Sequence, residues 1–128
     1  MTTLAPHAQA GGVLKLSPRV LNFGHQPFGS FTTKVLRITN TSSQTIFITI
    51  ETVEVPDDFS PGQQESTCFL SGVGVNELIP GESCTEVVAF QPDPFFLQPE
   101  AATLLVTARD DSGSTISTAN VKIRGKGV

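Results

Sequence analysis

The residues that could carry out chemistry are few and widely spaced. His7 and His25 are the only histidines, one near the start of the chain and one in a turn. A histidine metal site or a Ser-His-Asp arrangement needs several such groups that converge, and these two offer no such set. No G-x-S-x-G elbow or phosphate-binding loop is present either. The sequence therefore predicts no catalytic residue, no cofactor and no metal centre, and the chain is predicted not to be an enzyme.

Two acidic pairs are the remaining candidates for a cation site. Asp57-Asp58 and Asp110-Asp111 could ligate calcium, a hard cation that takes several oxygen ligands. Neither pair lies in the spaced acidic loop of a dedicated calcium site. Turns favour Asp because its side chain hydrogen-bonds the nearby backbone, so both pairs are interpreted as turn residues.

The two cysteines bracket a loop. Cys68 and Cys84 are 16 residues apart, a spacing that differs from the close pairs of zinc sites. In an oxidising compartment we expect a disulfide, which would stabilise the fold by about 3 kcal/mol on the loop-entropy model. In a reducing compartment we expect two buried thiols.

Length and composition favour a single domain and argue against nucleic-acid binding. The chain has 128 residues, a net charge of -4 and only 16% charged residues. Nucleic-acid binding needs a concentrated basic footprint, and here the eight Lys and Arg residues are scattered along the sequence. No apolar run is long enough for a membrane span, and residues 1–12 lack the basic and apolar regions of a secretion signal. We expect no nucleic-acid partner and no membrane insertion.

Alternating apolar residues predict β-strands throughout. After the Pro80-Gly81 turn, Cys84, Val88 and Phe90 share one face of a strand. Phe59 is predicted to fill the core, and the turn at residues 110–113 is typical of a hairpin. Seven or eight short strands with frequent turns make residues 13–128 an all-β, antiparallel β-sandwich, preceded by a flexible arm at residues 1–12. The predicted strands are residues 13–17, 20–23, 31–40, 45–53, 68–70, 84–91, 101–109 and 115–124.

An ordered series of short motifs carries a family resemblance. It runs from Leu-Ser-Pro at residues 16–18 through Leu-Asn-Phe-Gly at 21–24 and Leu-Arg-Ile-Thr-Asn-Thr-Ser at 36–42 to Phe-Gln-Pro at 90–92. This order resembles ASH-type (ASPM, SPD-2, Hydin) domains and bacterial choice-of-anchor D repeats over residues 13–128. The resemblance implies an immunoglobulin-like sandwich related to the major sperm protein and PapD-like domains. It also implies an interaction or structural module.

Two departures from the family pattern stand out. Glu86 occupies an inward position that the family usually fills with an apolar residue, so we expect the strand to enter the core only after it. The second departure is at residues 93–99, where the family tends to carry a short polar glycine turn. Here Phe95, Phe96 and Leu97 lie between prolines. These side chains either contact a partner as aromatic anchors on a stiff loop or fold back to cap the sandwich.

Three further residues are candidate partner contacts. Leu4 and His7 lie in the arm, which could reach across to a neighbouring subunit or be a disordered terminus. Phe47 lies on the outward face of its predicted strand and could belong to an interface, although a single exposed aromatic is normal.

Together these observations predict a non-catalytic structural or protein-interaction module in a larger assembly. Its expected partners are protein subunits of that assembly, either capsid or tail proteins or copies of itself. Its most concrete form is a virion structural protein, either a capsid decoration (cement) protein or a tail accessory subunit. One alternative is a repeat of a bacterial cell-surface or adhesive stalk protein. Another is a cytoskeletal or ciliary scaffolding domain, whose cysteines would be free. The expected location is the virion, the extracellular space or the cell surface, with the cytoplasm as the alternative.

Overall fold

A computed structural model describes residues 13–53, 56, 58–70, 74–94 and 98–128. Over these ranges the chain contains no helix, and its secondary structure consists of nine strands. The strands are β1 (Leu14–Ser17), β2 (Val20–Gln26), β3 (Thr32–Asn40), β4 (Ile46–Val53), β5 (Phe59–Ser60), β6 (Asn76–Leu78), β7 (Ser83–Phe90), β8 (Glu100–Arg109) and β9 (Thr115–Gly127).

The strands form two sheets that pack as a sandwich. The first sheet has the order β1-β3-β7-β5 and the second has the order β2-β9-β8-β4-β6. All pairings are antiparallel except that between β2 and β9, which is parallel. The predicted all-β immunoglobulin-like sandwich is confirmed, with two of the nine strands only two and three residues long.

The core follows from the period-2 alternation of the long strands. Ile46, Ile48 and Ile50 of β4 point inward, and the last two lie opposite Ala108 and Val106 of β8. Phe59 is buried as predicted, and its ring stacks on that of Phe90 with the centroids 4.7 Å apart. The apolar side chains of both inner faces thereby form one continuous core.

The first two predicted strands lie in different sheets. β1 pairs with β3, the chain turns at Pro18, and β2 then pairs with β9. The N–H of Lys122 donates a hydrogen bond to the carbonyl oxygen of Arg19 at 3.3 Å, which continues the second pairing towards the turn. The edges of the two sheets therefore lie on the same side of the sandwich at this point.

Two local predictions were wrong. Residues 68–70 form no strand, because the backbone there is held by a disulfide and by side-chain hydrogen bonds; the short strand in this region is β6. Glu86 does not precede the core: it is 0% exposed, and Cys84 before it is buried as well. The connection that contains Gly62 and Ser66 runs beside Glu86, and this enclosure extends the buried part of β7 towards its start.

Candidate functional site

The predicted contact residues divide between described and undescribed parts of the chain. Those outside the described residues remain predictions: Leu4, His7, Phe95, Phe96 and Leu97. Phe47 is half-buried on the outer face of the second sheet, between Glu77 of β6 and Arg109 of β8. It contributes one aromatic ring to that face and makes no apolar patch by itself.

Cys68 and Cys84 form a disulfide, with the two sulfur atoms 2.01 Å apart. Both residues are buried. The bond attaches the connection between β5 and β6 to β7. Beside it, the N–H groups of Thr67 and Cys68 both donate to the carbonyl oxygen of Thr85 at 2.8 Å.

An exposed apolar surface lies next to this disulfide. Phe69, Val75 and Ile79 are 52%, 62% and 54% exposed. Glu77 and Glu82 are exposed among them, and a groove of about 260 Å³ separates β6 from the start of β7. We call the surface formed by these five residues the acidic edge.

Asn76 fixes the backbone of the acidic edge. Its side chain is buried, and its Oδ1 accepts a hydrogen bond from the N–H of Phe69 at 2.6 Å. Its Nδ2 donates to the carbonyl oxygens of Phe69 at 2.9 Å and Ile48 at 3.2 Å. Phe69 is thus exposed on a backbone that is held from both sides, so docking costs little further ordering of the chain.

The acidic edge also presents an open strand. Among the described residues β6 pairs with β4 alone, so its other side forms the margin of the sheet. Backbone N–H and C=O groups at such a margin can pair with an added strand, and apolar side chains beside them supply contact area. The surface is therefore suited to binding a protein segment.

Two buried carboxyl groups lie elsewhere in the molecule. Burial raises the pKa of Glu86 to about 7; the Gly62 backbone and the Ser66 hydroxyl lower it in part, but neither reaches hydrogen-bond geometry. Burial, followed by the neighbouring carboxylates of Asp58 and Asp93, likewise raises the pKa of Glu100 to about 7. The Asp93 N–H donates to Asp58 Oδ2 at 3.1 Å, so two of these acids are joined by a hydrogen bond.

These acids do not make a metal centre. Within the described ranges, no group of three or more His, Cys, Asp or Glu side chains is arranged to hold a metal ion. Asp110 accepts hydrogen bonds from the N–H groups of Ser112 and Ser114, which confirms its interpretation as a turn residue. No membrane-spanning helix occurs among the described residues.

Solved structures from three organisms share this architecture. The ASH / PapD-like domain 7 of human CEP192 matches with a TM-score of 0.66 and 13% identity, over 91% of this chain and 86% of that one. The C. elegans MSP family member WR4 matches with a TM-score of 0.58 and 8% identity, over 91% and 99%. The VesB protease of Vibrio cholerae matches with a TM-score of 0.69 and 21% identity, over 94% of this chain and 33% of the protease. The fold is PapD-like.

This likeness confirms the predicted relation to ASH, MSP and PapD-like domains at the level of the fold. No family model matches the sequence, and no curated protein matches it. The chain spans about a third of the protease, so the likeness to VesB concerns a part of that protein.

Sequence reasoning missed the acidic edge of this PapD-like sandwich. The sequence pattern predicts a strand at Phe69 and no role for Val75 or Asn76. One signal was available, because a Phe directly after a Cys that is tied to another strand has its backbone held in place. The polar side chain of Asn76 at an inward position gave no such signal, since its partners lie seven and 28 residues away.

Proposed function

We propose that the chain is a non-catalytic protein-contact module of a larger assembly and that the acidic edge is one of its contact surfaces. The observation that carries this proposal is the exposure of Phe69, Val75 and Ile79 on a backbone fixed by a disulfide and by Asn76. Rigid, exposed aromatic and aliphatic side chains are typical anchors of protein interfaces. Phe95, Phe96 and Leu97, together with Leu4 and His7 of the arm, are proposed as a second set of contacts.

The most concrete form of this proposal is a virion structural protein, either a capsid decoration protein or a tail accessory subunit. The disulfide between Cys68 and Cys84 supports a location in a virion or at a cell surface, because disulfides persist where thiols are not kept reduced. The same observation favours a second candidate, a repeat of a bacterial surface or adhesive stalk protein. A cytoskeletal or ciliary scaffold would work in a reducing compartment, where we expect free thiols.

A photo-crosslinking amino acid tests the contact surface. It is placed at position 69 and, as a control, at Asp111, an exposed turn residue. The protein is produced in its source organism, and particles and cell envelopes are purified separately. We expect a crosslink to a defined protein from position 69 and none from position 111. Equal labelling from both positions would contradict the assignment.

Two further measurements test the contact surface and the location of the protein. A Phe69→Ser/Val75→Ser variant should keep its melting temperature and be depleted from purified particles or envelopes; unchanged incorporation would remove this surface from the proposal. Thiols are also counted in freshly purified native material. Two free thiols would refute both extracellular forms and favour the cytoplasmic scaffold.

A further inference from the structure

Positive and negative charges are separated along the chain. Residues 13–40 and 115–128 contain seven of the eight Lys and Arg residues and no Asp or Glu. All 12 acidic residues lie between positions 51 and 111, where Arg109 is the one basic residue. The seven basic residues are Lys15, Arg19, Lys34, Arg37, Lys122, Arg124 and Lys126.

Because of the strand order, the charges that are separated along the chain also lie on opposite sides of the molecule. The basic segments form β1, β2, β3 and β9, and these strands include one margin of each sheet. β5 and β6 form the opposite margins, next to the exposed acids Glu51, Glu65, Glu77 and Glu82. The sandwich therefore has a positively charged side and a negatively charged side.

The positively charged side has its own open strand. β2 pairs with β9 and with no other strand in the described part of the chain. Val20 at its start is 39% exposed and lies directly beside Lys122, and Arg19 precedes it. We call the surface formed by Lys15, Arg19, Val20, Lys122 and Arg124 the basic edge; its four charged side chains are exposed.

We propose that the acidic edge of one copy docks on the basic edge of a second copy, so that the protein associates head to tail. This names the partner of the surface assigned above, and so it rests on the proposed function. Each edge carries one sign of charge, so two identical edges repel each other, whereas the two different edges attract. The edges terminate opposite sides of the same sheet, β6 and β2, so each added copy leaves a free edge of each kind.

Charge selects the pairing, and apolar contact contributes to its strength. Exposed ion pairs alone contribute little to affinity, because water and salt screen them. Here Val75 and Ile79 on one edge can meet Val20 on the other and bury apolar surface between the charges. The contact is therefore expected to be weak at high salt and measurable at low salt.

Sedimentation velocity of the wild-type protein provides the first test. At about 0.5 mM protein we expect species larger than a monomer at low salt. Between 0.1 M and 1 M salt the screening length falls from about 10 Å to about 3 Å, and we expect the association constant to fall by about tenfold or more. A monomer under all conditions would overturn the proposal, and the charges on the open strands would then serve to prevent edge pairing.

Two variants, each with one of the two edges impaired, test the head-to-tail arrangement. Arg19→Gln/Lys122→Gln removes charge from the basic edge, and Val75→Ser/Glu77→Gln weakens the acidic edge; all four residues are exposed, and melting curves verify the folds. Each variant alone should be monomeric. Their equimolar mixture should form dimers and nothing larger, because one intact acidic edge meets one intact basic edge.

Other outcomes identify what has failed. Wild-type-like association of either variant alone would overturn the head-to-tail contact, and association of the Arg19→Gln/Lys122→Gln variant alone would mean that the acidic edge pairs with itself. A monomeric wild type that still crosslinks from position 69 to another protein would refute this inference and leave the proposed function intact. A wild type that associates head to tail in solution but gives no crosslink from position 69 in its source organism would refute the proposed function, and the association would then be a property of the purified protein alone.

Discussion

Glu86 makes the stability of this fold depend on pH in a direction that can be measured. The carboxyl group is fully buried, and burial raises its pKa from 4.5 to about 7. In the unfolded chain the group ionises near its usual pKa, whereas in the folded protein it stays protonated until about pH 7. Its contribution to stability is therefore complete below pH 4.5 and is lost as the pH rises through 7.

The size of the pH effect on stability follows from the shift in the pKa of Glu86. A rise from 4.5 to about 7, at 1.36 kcal/mol per unit, corresponds to about 3 kcal/mol of unfolding free energy. Glu86→Gln removes the titration and keeps the shape of the side chain. The cost of burying the uncharged amide is the same at every pH, so it cancels when two pH values are compared. The stability of the variant relative to wild type should therefore rise by about 3 kcal/mol between pH 4.5 and pH 8.

Urea unfolding followed by far-ultraviolet circular dichroism is the suitable assay, because the chain has no Trp or Tyr for fluorescence. In melting temperature the same change is about 10 °C for a domain of this size. Glu65→Gln, at an exposed glutamate, is the matched control and should show a difference from wild type that is flat with pH. A flat difference for Glu86→Gln as well would show that its carboxylate is hydrogen-bonded in the folded state, and the reasoning would be wrong.

Three other predictions concern the remaining features. Asn76→Ala leaves the backbone groups of Phe69 without side-chain partners, so urea unfolding should show a loss of about 1 to 3 kcal/mol; a neutral result would mean that water replaces the amide. Reduction of the disulfide should lower the unfolding free energy by about 3 kcal/mol, and an unchanged melting temperature would contradict this. Phe95→Ser/Phe96→Ser should leave the melting temperature unchanged and reduce incorporation into particles or envelopes, whereas a large drop in melting temperature would favour the capping role.

The sandwich itself was predictable, because its long strands are specified by local alternation. β4 and β8 show this most clearly, since Ile48 and Val106 are inward both in the sequence pattern and in the structure. The parallel pairing of β2 with β9 was not predictable, because it joins segments about 100 residues apart and leaves no local mark. The burial of Glu86 was not predictable either, because the connection that contains Gly62 and Ser66 encloses it and has no periodic pattern of apolar residues.

The candidate site was less predictable than the fold. The acidic edge depends on where the disulfide and Asn76 hold residues 67–69, and a run of coil carries no periodic signal of that kind. The separation of charge between residues 13–40, 51–111 and 115–128 could have been read from the sequence. Its meaning became clear only when the topology placed the first and last of these segments together.

The parallel pairing of β2 and β9 also affects how the domain responds to mechanical force. The start of β2 and the end of β9 lie at opposite ends of this pair, with registers that run from Val20 opposite Lys122 to Gln26 opposite Gly127. Once β1 has separated from β3, a pull on the start of β2 and on the end of β9 loads the hydrogen bonds between these two strands in shear, so they must break together and not one by one. This pair of strands is therefore expected to resist a force along its length better than an antiparallel pair that opens one hydrogen bond at a time.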